Sequence, residues 1–204
     1  MNDDRARLWR IGLWLEYGTI GWNIGEAALT IGLGIAAGSL ALIGFGADSI
    51  IEVFASSVIV WHLRPGHEED SPERTALALR LVGIAFALLA TALATFAIRD
   101  LVTGRRPDES LWGAIYLVSA AVVMLGLGWF KHRIARRIES APLASEATLT
   151  VLDGFLAAGT AAGLGLNIMF GWWWADPLTA LVVAVICLSE ARENFEESRE
   201  WAEH

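Results

Sequence analysis

Cysteine is almost absent. Cys187 is the only one in 204 residues, so no intrachain disulfide can staple this fold. A small secreted disulfide scaffold is therefore excluded. Charge is scarce as well: Asp, Glu, Lys and Arg make up 19% of the chain, below the roughly 25% of ordinary soluble domains. Positive charge is the scarcer sign. The net charge is −8, and no basic stripe stands apart from the ends of apolar runs. A nucleic-acid-binding surface is not expected from such a balance. The chain also lacks a P-loop, a Ser/His dyad, an internal repeat and any low-complexity stretch. No motif reads as that of an enzyme.

What is present is hydrocarbon. Hydrophobic residues make up 55% of the chain, and the mean hydropathy is +0.49. A soluble globule of this length could not bury so much apolar surface. The apolar residues fall into six runs, at about Leu13–Ala37, Leu40–Leu63, Ala76–Ile98, Leu111–Phe130, Ala147–Phe170 and Pro177–Leu188. Each can cross a hydrocarbon core of about 30 Å, the sixth with help from its flanks. A chain crossing lipid must satisfy its own backbone, so these runs are expected as helices. The expected fold class is all-α: a polytopic membrane protein with six transmembrane helices over residues 1–190. A short acidic tail, 191–204, is expected to follow. The first run is too long for a cleavable signal peptide. His67–Glu73 reads as a solvated acidic loop and Lys131–Glu139 as a basic connector.

An even number of spans puts both termini on one side. Of the 15 Lys and Arg residues, twelve fall on that side and only Arg99, Arg105 and Arg106 on the other. The positive-inside rule then places both termini in the cytoplasm, in the inner membrane if the cell is bacterial. Tryptophan agrees with this arrangement. Trp14, Trp61 and Trp129 sit at the expected inner ends, and Trp112 and Trp172–Trp174 at the outer ones.

Several polar residues interrupt the runs. A carboxylate at mid-bilayer costs about 2.5–3.5 kcal/mol by insertion scales, so it needs a partner or a purpose. Asp48 and Glu52 on the second run are spaced i, i+4 and point the same way. Asp153 lies at similar depth on the fifth run, with Glu146 two turns earlier, and the first run carries Asn23 and Glu26. No basic residue is expected deep in any span. Such carboxylates must be protonated or share a cation, and a divalent metal supplies the missing charge. Emptying the site invites protons, which gives a route to metal–proton exchange. Plainer roles compete. Glu26 and Asn23 suit interhelical hydrogen bonds. Glu146 suits the positive end of the fifth helix. Asp176 before Pro177 suits an N-cap. His62 suits a snorkelling position, Cys187 suits core packing, and the small residues of Ala157–Gly165 suit close helix contact. Gly44-Phe-Gly-Ala-Asp48 comes close to the Gly-x-Gly-Asp of intramembrane aspartyl proteases, but Ala47 breaks the spacing.

The stretch from Gly38 to Glu52, Gly-Ser-Leu-Ala-Leu-Ile-Gly-Phe-Gly-Ala-Asp-Ser-Ile-Ile-Glu, resembles the second helix of the cation diffusion facilitator (cation efflux) family. There a Ser-x-Ala-Leu run leads into Ala-Asp-Ser and an acid one turn on. Ser145-Glu-Ala-Thr-Leu-Thr-Val-Leu-Asp153 resembles the family's Ala-Asp-x-x-His-x-x-x-Asp. Leu166-Asn167 and Gly171–Pro177 resemble its fifth-to-sixth connection. Gly44–Val53 is similar, too, to the vertebrate synaptic-vesicle branch of zinc-efflux proteins. The resemblance implies a divalent-cation exporter with its transport site between helices 2 and 5. The implied ligand positions are Asp48, Glu52, Leu149 and Asp153. Leucine cannot coordinate, so an oxygen-only site favours Mn²⁺ or Fe²⁺ over Zn²⁺, with Glu146 or a first-helix group as the replacement ligand. The expected partners are the divalent cation, protons and the bilayer. The family's usual soluble C-terminal metal-binding domain is expected to be absent beyond the acidic tail, so any homodimer would form through transmembrane helices. No organic cofactor is expected. A non-transporting metal sensor or interaction subunit is the alternative reading.

Overall fold

The computed structural model describes residues 3–37, 40–64, 71–104 and 111–203, with the side chains of 3–5, 33–34, 36–37, 40–45 and 111–114 excluded. Among the described residues there are six α-helices and no strand: α1 (Asp3–Ala37), α2 (Leu40–Leu63), α3 (Pro72–Thr103), α4 (Leu111–Ile138), α5 (Ala141–Phe170) and α6 (Ala175–Ala202). The six expected runs each sit inside one helix, and most helices extend past the apolar stretch. The acidic loop His67–Asp70 and the side chain of Trp112 lie outside what the structure describes.

Local chemistry explains the boundaries. Ser140 caps α5 by accepting from the Leu143 amide at 3.4 Å, with Pro142 in the first turn. Gly171 ends α5 in a left-handed conformation, φ 70°, and its amide returns to the Asn167 and Leu166 carbonyls. Two expectations are corrected here. Lys131–Glu139 is not a connector, because α4 continues through Ile138 and Glu139, at φ 57°, turns the chain toward α5. The apolar Ile134, Ala135 and Ile138 lie three, four and seven residues beyond Lys131 and are all buried, which carries the helix on. Nor does Asp176 cap α6. The helix starts at Ala175 after Trp174, and Asp176 sits in the first turn with its side chain on Thr160 of α5.

The burial pattern is that of a protein in lipid. On α1 the buried positions include Glu16, Thr19, Asn23, Glu26 and Thr30, while Trp14 is 74% exposed, Leu29 57% and Ile35 70%. Polar groups face in and hydrocarbon faces out. α1 packs mainly on α2, α4 on α5, and α3 on α6. A small cleft lined by Trp9, His62, Thr75, Ile138, Pro142 and Trp201 gathers the first turns of α1, α3 and α5 and the last turns of α2, α4 and α6. The helices therefore alternate in direction, and the described ends of α1 and α6 lie at the same end of the bundle. Among the described residues, four stretches are long and apolar enough to span by composition: Gly46–Leu63, Pro72–Thr103, Ile115–Ile138 and Ala141–Phe170. The second half of α6 is charged. The protein is an integral, multi-pass, all-α membrane protein.

Small residues set the helix contacts. A Cβ on Gly159 would lie 2.2 Å from Thr179 Cγ2, and one on Gly163 would lie 2.9 Å from the Asp176 backbone nitrogen. Within the Ala157–Gly165 stripe, Gly159 and Gly163 thus contact α6, while Ala157 packs with Ala120 and Ala121 of α4. The acidic end of α6 is not free in solution. Ala191, Asn194 and Ser198 are buried, and Ser145 Oγ donates to Asn194 Oδ1 at 2.6 Å.

Candidate cation site

The intramembrane polar residues form two layers. Asp153 lies seven residues beyond Glu146, and Asp48 eight before Ser56, so the layers are about 10–12 Å apart along the helices. The layer farther from the gathered helix ends is built by α1, α2 and α5. Asp48 and Asp153 meet there side chain to side chain, joining α2 to α5. Glu26 and Glu52 lie within electrostatic reach of Asp153. Ser49 Oγ donates to Glu26 Oε2 at 3.1 Å, which makes Glu26 the interhelical partner that its position suggested. Asp48 and Asp153 keep part of their surface accessible, whereas Glu52 is 4% exposed and its Oε1 has no hydrogen-bond partner.

The second layer joins α1, α2, α4 and α5. Lys131 Nζ donates to Glu146 Oε1 at 2.7 Å and Oε2 at 2.9 Å, to Glu16 Oε2 at 3.2 Å and to Thr150 Oγ1 at 3.2 Å. Ser56 Oγ on α2 donates to Glu146 Oε1 at 2.9 Å. Lys131, Glu16 and Glu146 are all fully buried. This overturns the expectation that no basic residue lies deep in a span. Lys131 is the only lysine of the chain, and its run of neighbours Arg133, Arg136 and Arg137 disguises it as part of a loop. The readable signal was the apolar stripe that continues beyond it.

Other positions resolve as follows. Glu146 faces Lys131 rather than Asp48 and Asp153, and the α5 cap belongs to Ser140. Asn23 does not bond across helices. Its Nδ2 donates to the Thr19 carbonyl within α1, and its Oδ1 is buried without a partner. Leu149 is 1% exposed in the apolar core, so hydrocarbon fills that position. Cys187 is buried in the same core. His62 does not snorkel. It is 7% exposed, with its ring 6.5 Å from that of Trp9. Among the described residues, no three carboxylate, imidazole or thiol groups converge closely enough as they stand to hold a metal ion. Two pairs of carboxyls meet across helices, Asp48 with Asp153 and Glu16 with Glu146, and of these the Asp48–Asp153 pair has no ammonium against it.

A helical bundle with hydrocarbon outside and acids inside, two of them joined between helices, defines a membrane protein with an intramembrane acidic site. The family model of the cation efflux transmembrane domain matches residues 19–200, and the chain belongs to the cation efflux family. It is 24% identical over 172 residues to an uncharacterized transporter, sll1263, of Synechocystis, covering 79% of this chain and 56% of that protein. It is also 24% identical over 179 residues to the manganese efflux system protein MneS of Bacillus subtilis, covering 84% of this chain and 61% of that one. The chain thus spans somewhat over half the length of these relatives.

Proposed function

We propose that this protein exports a divalent metal cation from the cytoplasm, with Mn²⁺ the leading candidate, and that Asp48, Asp153 and Glu52 hold the ion between α2 and α5. The observation that carries the reading is the meeting of Asp48 and Asp153 within an otherwise apolar bundle. Two carboxylates in contact repel unless a proton or a cation lies between them. Hard oxygen ligands suit Mn²⁺ or Fe²⁺, and the hydrocarbon at Leu149 removes the imidazole that would favour Zn²⁺. The named function of the Bacillus relative supports the same metal.

The transport cycle follows from the chemistry of the pair. The ion enters from the end that the positive-inside bias assigns to the cytoplasm. It displaces protons from the carboxylates, because a ligand must be deprotonated to bind. Rearrangement of the helices then opens the pair to the other side, and protons taken up there release the ion and reset the carrier. Metal–proton antiport by alternating access is the expected coupling. Glu146 is left out of the ligand set, since Lys131, Ser56 and Thr150 already occupy its oxygens.

The test is uptake into inverted membrane vesicles under an imposed pH gradient, with Mn²⁺, Fe²⁺, Zn²⁺ and Mg²⁺ in competition. The expected result is saturable Mn²⁺ uptake, lost in Asp48→Asn and in Asp153→Asn while both variants still insert. Full uptake in both variants would exclude this site. Metal binding without flux in the wild type would favour the sensor reading instead.

A further inference from the structure

The inner polar layer is a different object from the Asp48–Asp153 pair. Four oxygens surround the Lys131 ammonium at 2.7–3.2 Å, from Glu146, Glu16 and Thr150. That is the arrangement of a cation site whose cation is covalently tethered. The charges do not balance as structural glue alone would require. One ammonium faces Glu16 and Glu146, with Glu52 within electrostatic reach of both Lys131 and Glu146. Glu16 Oε1 and Glu52 Oε1 are buried and lack hydrogen-bond partners. Three carboxylates and two spare buried oxygens around one positive charge leave capacity for a second.

We propose that Glu16, Glu146 and Thr150 form a second cation site, inward of Asp48, Asp153 and Glu52, which the Lys131 ammonium holds and which divalent cargo takes when the ammonium withdraws. This rests on the exporter reading for the identity of the cargo. In this proposal the ammonium, with three donors on a flexible four-carbon stem, withdraws by a change of side-chain rotamer. With it in place, Glu16 and Glu146 are held around Nζ and cannot close on a metal, consistent with the lack of a three-ligand cluster among the described residues. With it withdrawn, the freed carboxylate oxygens match the hard-ligand preference of Mn²⁺. On its return, the ammonium competes for the same oxygens and drives the ion onward. Lys131 is thus a built-in competitor that keeps cargo from being trapped between the mouth and the outer pair.

The test is Mn²⁺ binding to the purified full chain in detergent, by titration calorimetry and electron paramagnetic resonance, together with flux in proteoliposomes. Lys131→Met is expected to bind one more Mn²⁺ per chain than the wild type. The extra ion should disappear when Glu146→Gln is added and persist when Asp153→Asn is added. Flux through Lys131→Met should fall, because the ion is no longer displaced. No additional binding in Lys131→Met would overturn the proposal, and full flux alongside the extra ion would overturn the displacement step. If Lys131→Met does not fold, Lys131→Gln is judged by the same criteria. Wild-type protein that binds no Mn²⁺ would sink the exporter reading alone, since the inner site is scored separately in the Asp153→Asn background.

Discussion

Asp48 and Asp153 show how one interaction decides between roles. A single intramembrane acid is explained by a hydrogen bond to a neighbouring helix, and Glu26 with Ser49 is such a case. Two acids meeting across helices need a shared proton or ion. Leu149 makes the choice of metal testable. Replacing it with His places an imidazole one turn from Asp153, on the same helix. Leu149→His is expected to raise the Zn²⁺ preference in flux competition at the expense of Mn²⁺. Without metal, the unpaired buried imidazole should cost about 1–3 kcal/mol, read as a lower Tm that Zn²⁺ restores. Unchanged selectivity would place Leu149 outside the ion's reach. Removing charge from the inner layer has a different signature. Glu146→Gln strips Lys131 of its main partner, and breaking a buried pair costs about 3–5 kcal/mol. Thermal unfolding in detergent should show the loss at any metal concentration.

At the scale of helices, the apolar runs were legible because span length is fixed by bilayer thickness, and all six appear. Their ends were less legible. Hydropathy marks where a helix is greasy, not where its hydrogen bonds stop, so α4 runs past Phe130 through Lys131 to Ile138. The acids of α2 and α5 were visible because they interrupt hydrocarbon. Their contact partners were not, since which faces meet depends on packing rather than on spacing. Lys131 was missed for the same reason: a lysine beside three arginines looks wet until its own helix is known to continue. Asn23 failed in the other direction, because its amide turns back onto the α1 backbone. The α5–α6 contact yields a prediction. Gly163→Val would drive a side chain into the Asp176 backbone. Overpacking of this kind costs about 1–3 kcal/mol. The variant should unfold at lower temperature, while Gly165→Ala, in open space, should match the wild type.

For the whole molecule, the described ends of α1 and α6 lie at one end of the bundle, and basic residues mark that end. Lys131 is buried and no longer counts as a surface marker, yet the asymmetry survives, eleven against three. Single cysteines introduced into a Cys187→Ala background should report it. Residues 7 and 192 are expected to react with an impermeant maleimide only in inverted vesicles, and residue 108 only in right-side-out ones. The reverse pattern would turn the exporter into an importer. The sequence alone carries this expectation, because charge bias and span count do not depend on how helices pack. It could not give the two-layer arrangement of the interior, which emerges only when four helices bring their polar stripes to a common axis.

The central claim is that Asp48 and Asp153 serve one ion together. Equilibrium Mn²⁺ binding to wild type, Asp48→Asn, Asp153→Asn and the double variant, followed by electron paramagnetic resonance, tests it most directly. Residues of a shared site are non-additive. Each single variant is predicted to lose the same bound ion, and the double variant to lose nothing more. Two variants that each keep wild-type affinity, or losses that simply add, would mean that the two carboxylates do not hold a common cation.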